Sequence, residues 1–237
     1  MILNTDDSQV DLTSGSLDQA KIDQQQQENT HWEFIKDISP ISVIAADPIQ
    51  FMEAESKIQQ SASDMAGAVR SECNLGYSIP VDTINVAVLL GLRVIARHLN
   101  EDPEVSGNSD FDAAHVSGVL EKRKGDDSAT IYVESSDQPE RQRFTVAHEI
   151  SHWKKHTDGH TPEEIRNMEF SDVRKPDADT CLSEYSADMF AQILLLPKAI
   201  MLSGLANGYS LQSMSDKAGV STRTMENRLR QLALMGV

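Results

Sequence analysis

Cysteine is scarce in this chain of 237 residues, which contains only Cys73 and Cys181. The two are far apart and lack the C-x-x-C spacing that is typical of a thiolate zinc site or a redox pair. Without closely spaced cysteines, the sequence gives no indication of a disulfide framework. We interpret both as small, partly buried core residues.

Long apolar runs are also missing. The best run, residues 84–96, is interrupted by Asn85 and Arg93, and a membrane span needs about 20 apolar residues. Residues 1–7 contain neither the basic region nor the apolar region of a secretion signal. We therefore expect a cytoplasmic protein with no membrane contact.

Basic residues are few, with 21 Lys and Arg against 37 Asp and Glu, and the formal net charge is −16. Half of this excess lies within residues 1–60, which hold eleven acidic and three basic side chains. The part before Trp32 is also rich in glutamine and poor in large apolar residues, so it cannot bury enough surface to offset the entropy lost on ordering. We predict that 1–46 is a mostly disordered acidic extension, which either solvates the protein or serves as a docking arm.

Capping and turn residues divide the next hundred residues into helices and strands. Asp47-Pro48 is a good helix start because aspartate caps a helix and proline suits its first position. Gly91 is a good helix stop. The predicted elements are helices at about 47–73 and 82–90, strands at 92–96, 116–122 and 129–134, and a loop at 102–112.

An H-E-x-x-H motif occupies residues 148–152. On a helix, His148 and His152 project from one face and can bind the same zinc ion, with Glu149 placed to act as a base. The motif is typical of zinc hydrolases.

The motif also has the context of a helix. Asp137 and Glu140 have the spacing of a capping box, and Pro139 falls in the first turn. We predict a helix that runs to about Lys155.

A catalytic zinc site usually has three protein ligands. The metzincin pattern is excluded, because Asp158 stands where its third histidine would be. His156 lies about 80° around the helix and about 12 Å along it from His148, which is too far for one ion. We expect it to pack or hydrogen-bond near the helix end.

A downstream helix offers a better third ligand. Glu184 and Asp188 are four residues apart and share a face. We predict that Glu184 completes the metal site and that Asp188 orients a ligand histidine. The buried stripe of this helix is predicted to comprise Ala187, Phe190, Ala191, Leu194 and Leu195.

The sequences at 141–152 (R-Q-R-F-T-V-A-H-E-I-S-H) and 184–197 (E-x-x-A-D-x-F-A-x-x-L-L-x-P) resemble the ImmA/IrrE metallopeptidases. This resemblance covers about residues 62–237. It implies a cytosolic bacterial endopeptidase with one zinc ion that cleaves a helix-turn-helix repressor of a phage, mobile element or stress regulon. His148, His152 and Glu184 match the family's metal ligands, and Glu149 matches its catalytic base.

We therefore expect an α+β fold, in which a small mixed or antiparallel sheet packs on a zincin-like helical catalytic core. The predicted divisions are the extension at 1–46, a metallopeptidase domain at 47–204 and a C-terminal helix-turn-helix-like unit at 205–237. The strand at 116–122 is a candidate edge strand that could bind an extended substrate. Tyr132, Tyr185, His115 and Arg143 are unranked candidates for stabilising the oxyanion.

The C-terminal unit consists of helices predicted at 210–217 and 222–232, with Ser221 as an N-cap. From residue 205 onward it has four basic and two acidic residues, a small positive charge on an acidic protein. Direct DNA binding is therefore not expected. The alternative to a peptidase is a non-catalytic, zinc-containing regulator or antitoxin-like protein that acts by binding a partner or DNA.

Overall fold

The computed structural model describes residues 48–99, 116–172 and 178–234. The predicted extension at 1–46, the loop at 102–112, the Asp47 cap and His115 lie outside these ranges, as does the side chain of Cys181. Cys73 is a buried free thiol, as predicted. By its internal contacts the chain divides after Met52, and the residues from Glu53 onward form one compact unit. The proposed division between residues 204 and 205 stays a prediction.

The first elements confirm the helix signals of the sequence. Helix α1 spans Pro48–Glu72, and helix α2 spans Thr83–Leu89. The Asp82 side chain caps α2 by accepting a hydrogen bond from the Asn85 amide at 3.0 Å. Gly91 follows with a φ of 77°, a left-handed conformation that glycine adopts without strain.

Four strands form a mixed sheet in the order β1-β3-β2-β4. Strand β1 runs parallel to β3, whereas β2 is antiparallel to both β3 and β4. The first three strands were predicted, and β4 was not. Their bounds are β1 Arg93–Arg97, β2 Gly118–Lys122, β3 Thr130–Glu134 and β4 Phe170–Asp172.

Helix α3, Pro139–Thr157, carries the H-E-x-x-H motif. Its predicted capping box is wrong, because Gln138 is the N-cap and no side chain caps the helix there. Instead, the Gln142 amide donates hydrogen bonds to the carbonyls of Glu134, Ser135 and Asp137. These bonds fix the turn that joins β3 to α3.

Helix α5, Ala178–Leu195, packs against α3. All five residues of its predicted apolar stripe are fully buried, because this face forms the centre of the core. The other helices within the described ranges are α4 Pro162–Asn167, α6 Lys198–Ala206, α7 Leu211–Ala218 and α8 Thr222–Leu234. Helices and a small mixed sheet together confirm the α+β class.

No single helix in the described ranges is long and apolar enough to cross a membrane. Residues 182–195 of α5 would meet that test only together with α6, across a 55° bend.

Helices α7 and α8 form the predicted helix-turn-helix-like unit. Gly219, with a φ of 62°, makes the turn, and Ser221 caps α8 by accepting from the Thr224 amide. The Arg143 guanidinium of α3 donates to the carbonyl of Gly219. Arg228 of α8 is buried and donates from Nε to the Leu196 carbonyl at 3.1 Å. The unit is therefore joined to α3 and to the end of α5 by polar contacts.

Candidate metal centre

Three potential ligands meet between α3 and α5: His148, His152 and Glu184. The two Nε2 atoms are 3.0 Å apart. The Glu184 carboxylate lies 3.2 Å from His148 Nε2 and 3.3 Å from His152 Nε2. Two atoms that each lie about 2.0–2.1 Å from a tetrahedral zinc ion are about 3.3 Å apart. The donor set and its spacing therefore fit one metal ion.

Strong hydrogen bonding within this cluster perturbs the pKa values of its members. Burial alone would lower the pKa of His148, but hydrogen bonds to Asp188 and Glu184 outweigh it and raise the pKa to about 10. Burial raises the pKa of Glu184, but hydrogen bonds from His148 and His152 lower it well below the usual range. The site thus favours positive charge between its ligands, and a divalent cation competes there with protons.

Asp188 lies one turn after Glu184 on α5. Its Oδ1 is 2.8 Å from His148 Nδ1, the ring nitrogen on the opposite side from the ligand triangle. A carboxylate in this position fixes the tautomer and the orientation of a metal-binding imidazole. The geometry is the one that the sequence predicts for Asp188.

We expect Asp188→Asn to weaken metal binding about 10- to 100-fold, because the amide cannot orient His148 as a carboxylate does. Competition with a chromogenic chelator measures the change. Asp216→Asn, an exposed aspartate of α7, is the matched control and should leave affinity unchanged. Equal affinity of the Asp188 variant and wild type would contradict the orienting role.

Glu149 is buried beside the ligands and only 5% exposed. Its Oε2 has no hydrogen-bond partner among the described residues. Burial raises the pKa of this carboxyl, and although His148 opposes the shift, the negative charges of Glu184 and Asp172 add to it, which brings the pKa to about 8. The free oxygen and the high proton affinity suit a group that accepts a proton near neutral pH.

The sequence did not predict the role of Asp172 on β4. Its Oδ2 lies 2.8 Å from His156 Nε2 and 3.8 Å from His152 Nδ1. His156 also stacks on Phe170, with ring centroids 4.0 Å apart. His156 therefore hydrogen-bonds near the helix end, as predicted. Asp172 brings a second carboxylate near a ligand imidazole.

Strand β2 passes directly over Glu149. A Cβ atom at Gly118 would clash with Thr145 Cγ2 and lie 2.9 Å from Glu149 Oε1, so no side chain fits there without a shift. The prediction that 116–122 is an edge strand is wrong for its second half, because β4 pairs with residues 120–122. No described strand pairs with Gly118 on that side of β2.

The sequence model of the IrrE N-terminal-like domain, a peptidase family, matches residues 107–230, which is just over half of the chain. The chain belongs to this family. This confirms the resemblance seen in residues 141–152 and 184–197. No curated protein matches the chain.

In this member of the IrrE N-terminal-like family, Gly118→Ala should lower peptidase activity about 100-fold, because a small displacement of Glu149 is enough for such a loss. The bound metal should remain, since Gly118 does not contact the ligands. Gly67→Ala is the matched control, because a Cβ atom there meets nothing within 4 Å. Turnover and metal content of both variants should be measured. Undiminished activity in Gly118→Ala would contradict the close fit of β2 on Glu149.

Three of the four oxyanion candidates have other contacts. Arg143 donates to Gly219, and the Tyr185 hydroxyl donates to Glu55 Oε1 at 2.6 Å. Tyr132 pairs in register with Val119, so it lies on the opposite face of the sheet from Gly118 and Glu149. The described geometry therefore selects none of these three.

Proposed function

We propose that this peptidase is a zinc-dependent endopeptidase that cleaves a helix-turn-helix repressor encoded near its own gene and so relieves repression. The observation that carries the proposal is the buried, unpartnered Oε2 of Glu149 beside three convergent metal donors. A purely structural zinc site has no use for such a base. The repressor substrate is what the resemblance to the ImmA/IrrE metallopeptidases implies.

His148, His152 and Glu184 would hold the ion, and two imidazoles with one carboxylate are a donor set typical of catalytic zinc. Zinc would supply a Lewis acid that activates water at neutral pH and polarises the scissile carbonyl. Glu149 Oε2 would accept a proton from the attacking water and then deliver it to the leaving amine nitrogen. Asp188 would keep the His148 imidazole in its metal-binding tautomer throughout.

The substrate would bind along the start of β2. The carbonyl of Ser117 accepts a hydrogen bond from the Glu134 amide on β3. Because backbone groups alternate along a strand, the N–H and C=O of Gly118 are directed away from β3. An extended peptide could bond to them as an added strand and would then lie beside Glu149.

The alternative, a non-catalytic regulator, would use the helix-turn-helix-like unit to bind its target. In that unit Met225, Arg228 and Leu232 of α8 are buried against the rest of the fold. The described contacts thus favour a packing role for the unit, and they leave Glu149 without a purpose if no peptide is cut.

The zinc-loaded protein should cleave the neighbouring repressor at a defined bond, and a chelator should abolish the cleavage. Adding one equivalent of zinc should restore it, whereas magnesium should not, since magnesium prefers oxygen ligands. Gel electrophoresis and mass spectrometry of the products measure the outcome. An intact repressor in the presence of the zinc-loaded protein would favour the regulator.

A further inference from the structure

We propose that Arg141 is a carboxylate-binding subsite, which gives the peptidase a preference for substrates with an acidic side chain within about four residues of the scissile bond. This inference rests on the proposed function and deepens it. The subsite lies on α3, upstream of the metal ligands, at the start of β2.

One nitrogen of the Arg141 guanidinium is already occupied. Its Nε donates to Ser117 Oγ at 2.9 Å and lies 3.8 Å from Asp137 Oδ2. The two terminal nitrogens have no hydrogen-bond partner among the described residues, and the side chain is 58% exposed. A guanidinium held at Nε presents a preoriented pair of donors, which matches the two oxygens of a carboxylate.

The position of Arg141 sets the distance to the scissile bond. Arg141, Thr145 and Glu149 lie at i, i+4 and i+8 of α3, so Arg141 is about 12 Å along the helix from Glu149. Thr145 and Glu149 both occupy the space where a Cβ atom at Gly118 would lie, and Arg141 binds the preceding Ser117. The guanidinium reaches towards β2 at Ser117, so 12 Å is an upper bound, and at about 3.3 Å per residue of peptide strand it corresponds to at most three or four residues.

The charges around the metal centre determine where an acidic substrate side chain can bind. Glu184, Asp188 and Asp172 bring three carboxylates to the metal centre, one negative charge more than a bound zinc ion would neutralise. Arg143 is committed to the Gly219 carbonyl. Arg141 thus offers a local attraction for a substrate carboxylate that lies beyond the acidic centre.

A library of chymotryptic peptides from a bacterial proteome, which keeps acidic and basic residues at internal positions, tests the inference, with cleavage sites identified by mass spectrometry. Wild type should enrich Asp and Glu severalfold at one position, within about four residues of the cut. Arg141→Gln should lose this enrichment, and Arg141→Glu should replace it with Lys and Arg. Arg223→Gln, which changes an exposed arginine of α8, is the matched control and should keep the wild-type profile.

Kinetics on one cleaved library peptide distinguish a loss of substrate binding from a loss of folded enzyme. Arg141→Gln should lower kcat/KM about tenfold for the acidic peptide, mainly through KM, because a neutral amide replaces the charged pair of hydrogen-bond donors. It should leave kcat/KM unchanged for the same peptide with the acid replaced by its amide. Cleavage without acidic enrichment, or equal enrichment in Arg141→Gln, would overturn the inference alone. No cleavage of any library peptide by a preparation that cuts the neighbouring repressor would overturn this inference alone, whereas an intact repressor would overturn the proposed function and this inference with it.

Discussion

Glu149→Gln is expected to lower cleavage of the repressor at least about 100-fold while leaving one zinc ion bound per chain. Glutamine has almost the same volume as glutamate, so the buried position beside Gly118 stays filled. It cannot accept a proton, however, and general-base catalysis typically contributes about 10²- to 10⁴-fold. The proton of the attacking water would then have no acceptor at Oε2. Single-turnover cleavage and metal content, measured on the same preparation, test both halves of this prediction.

Glu140→Gln is the matched control for this experiment, because Glu140 is an exposed glutamate in the first turn of the same helix. It should cleave at the wild-type rate. Cleavage by Glu149→Gln at the rate of this control would show that another group is the base. Loss of zinc from Glu149→Gln would instead assign the carboxylate to the metal.

Glu184→Ala is expected to abolish stoichiometric zinc binding, and with it cleavage. It removes the only carboxylate in the described three-donor cluster and leaves two imidazoles. Because a metal that binds only the folded state stabilises it, added zinc should raise the Tm of wild type and leave that of Glu184→Ala almost unchanged. Elemental analysis and thermal unfolding with and without zinc measure these outcomes.

His156→Ala tests whether the histidine one turn after His152 is a metal ligand. Since His156 Nε2 is hydrogen-bonded to Asp172 and its ring stacks on Phe170, the variant should retain one zinc ion per chain. A full complement of zinc in Glu184→Ala, or its loss in His156→Ala, would reverse the assignment of the third ligand.

The features that the sequence predicts correctly are encoded locally. Asp82 and Gly91 bound α2 because capping and left-handed turns depend on a few adjacent residues. Likewise, the four-residue spacing of Glu184 and Asp188 fixes their common face once a helix forms. The buried stripe of α5 follows from the same periodicity.

The features that it does not predict depend on contacts between distant segments. Strand β4 has only three residues and covers half of β2, and no local pattern marks it as a strand. Asp172 approaches His152 through this pairing, so its position could not be inferred from motif spacing. The contact between Gly118 and Glu149 also arises only when the sheet packs on α3.

The start of α3 shows how a local signal can mislead. Asp137 has the right spacing to Glu140 for a capping box, yet it lies one residue before the actual N-cap. Its carboxylate lies near Arg141 instead. Gln142 performs the stabilising role by bonding to three carbonyls of the preceding turn, a pattern that no capping rule describes.

The bond between Arg143 and Gly219 limits how this protein can be shortened or recombined. Arg143 lies five residues before His148 on the same helix, and its guanidinium rests where a Cβ atom at Gly219 would be. Deleting α7 and α8 would leave that cation, and the Leu196 carbonyl that Arg228 covers, without their partners. Helices α7 and α8 therefore cannot be exchanged between relatives as an independent structural unit. A chimera must keep both sides of this junction from the same parent.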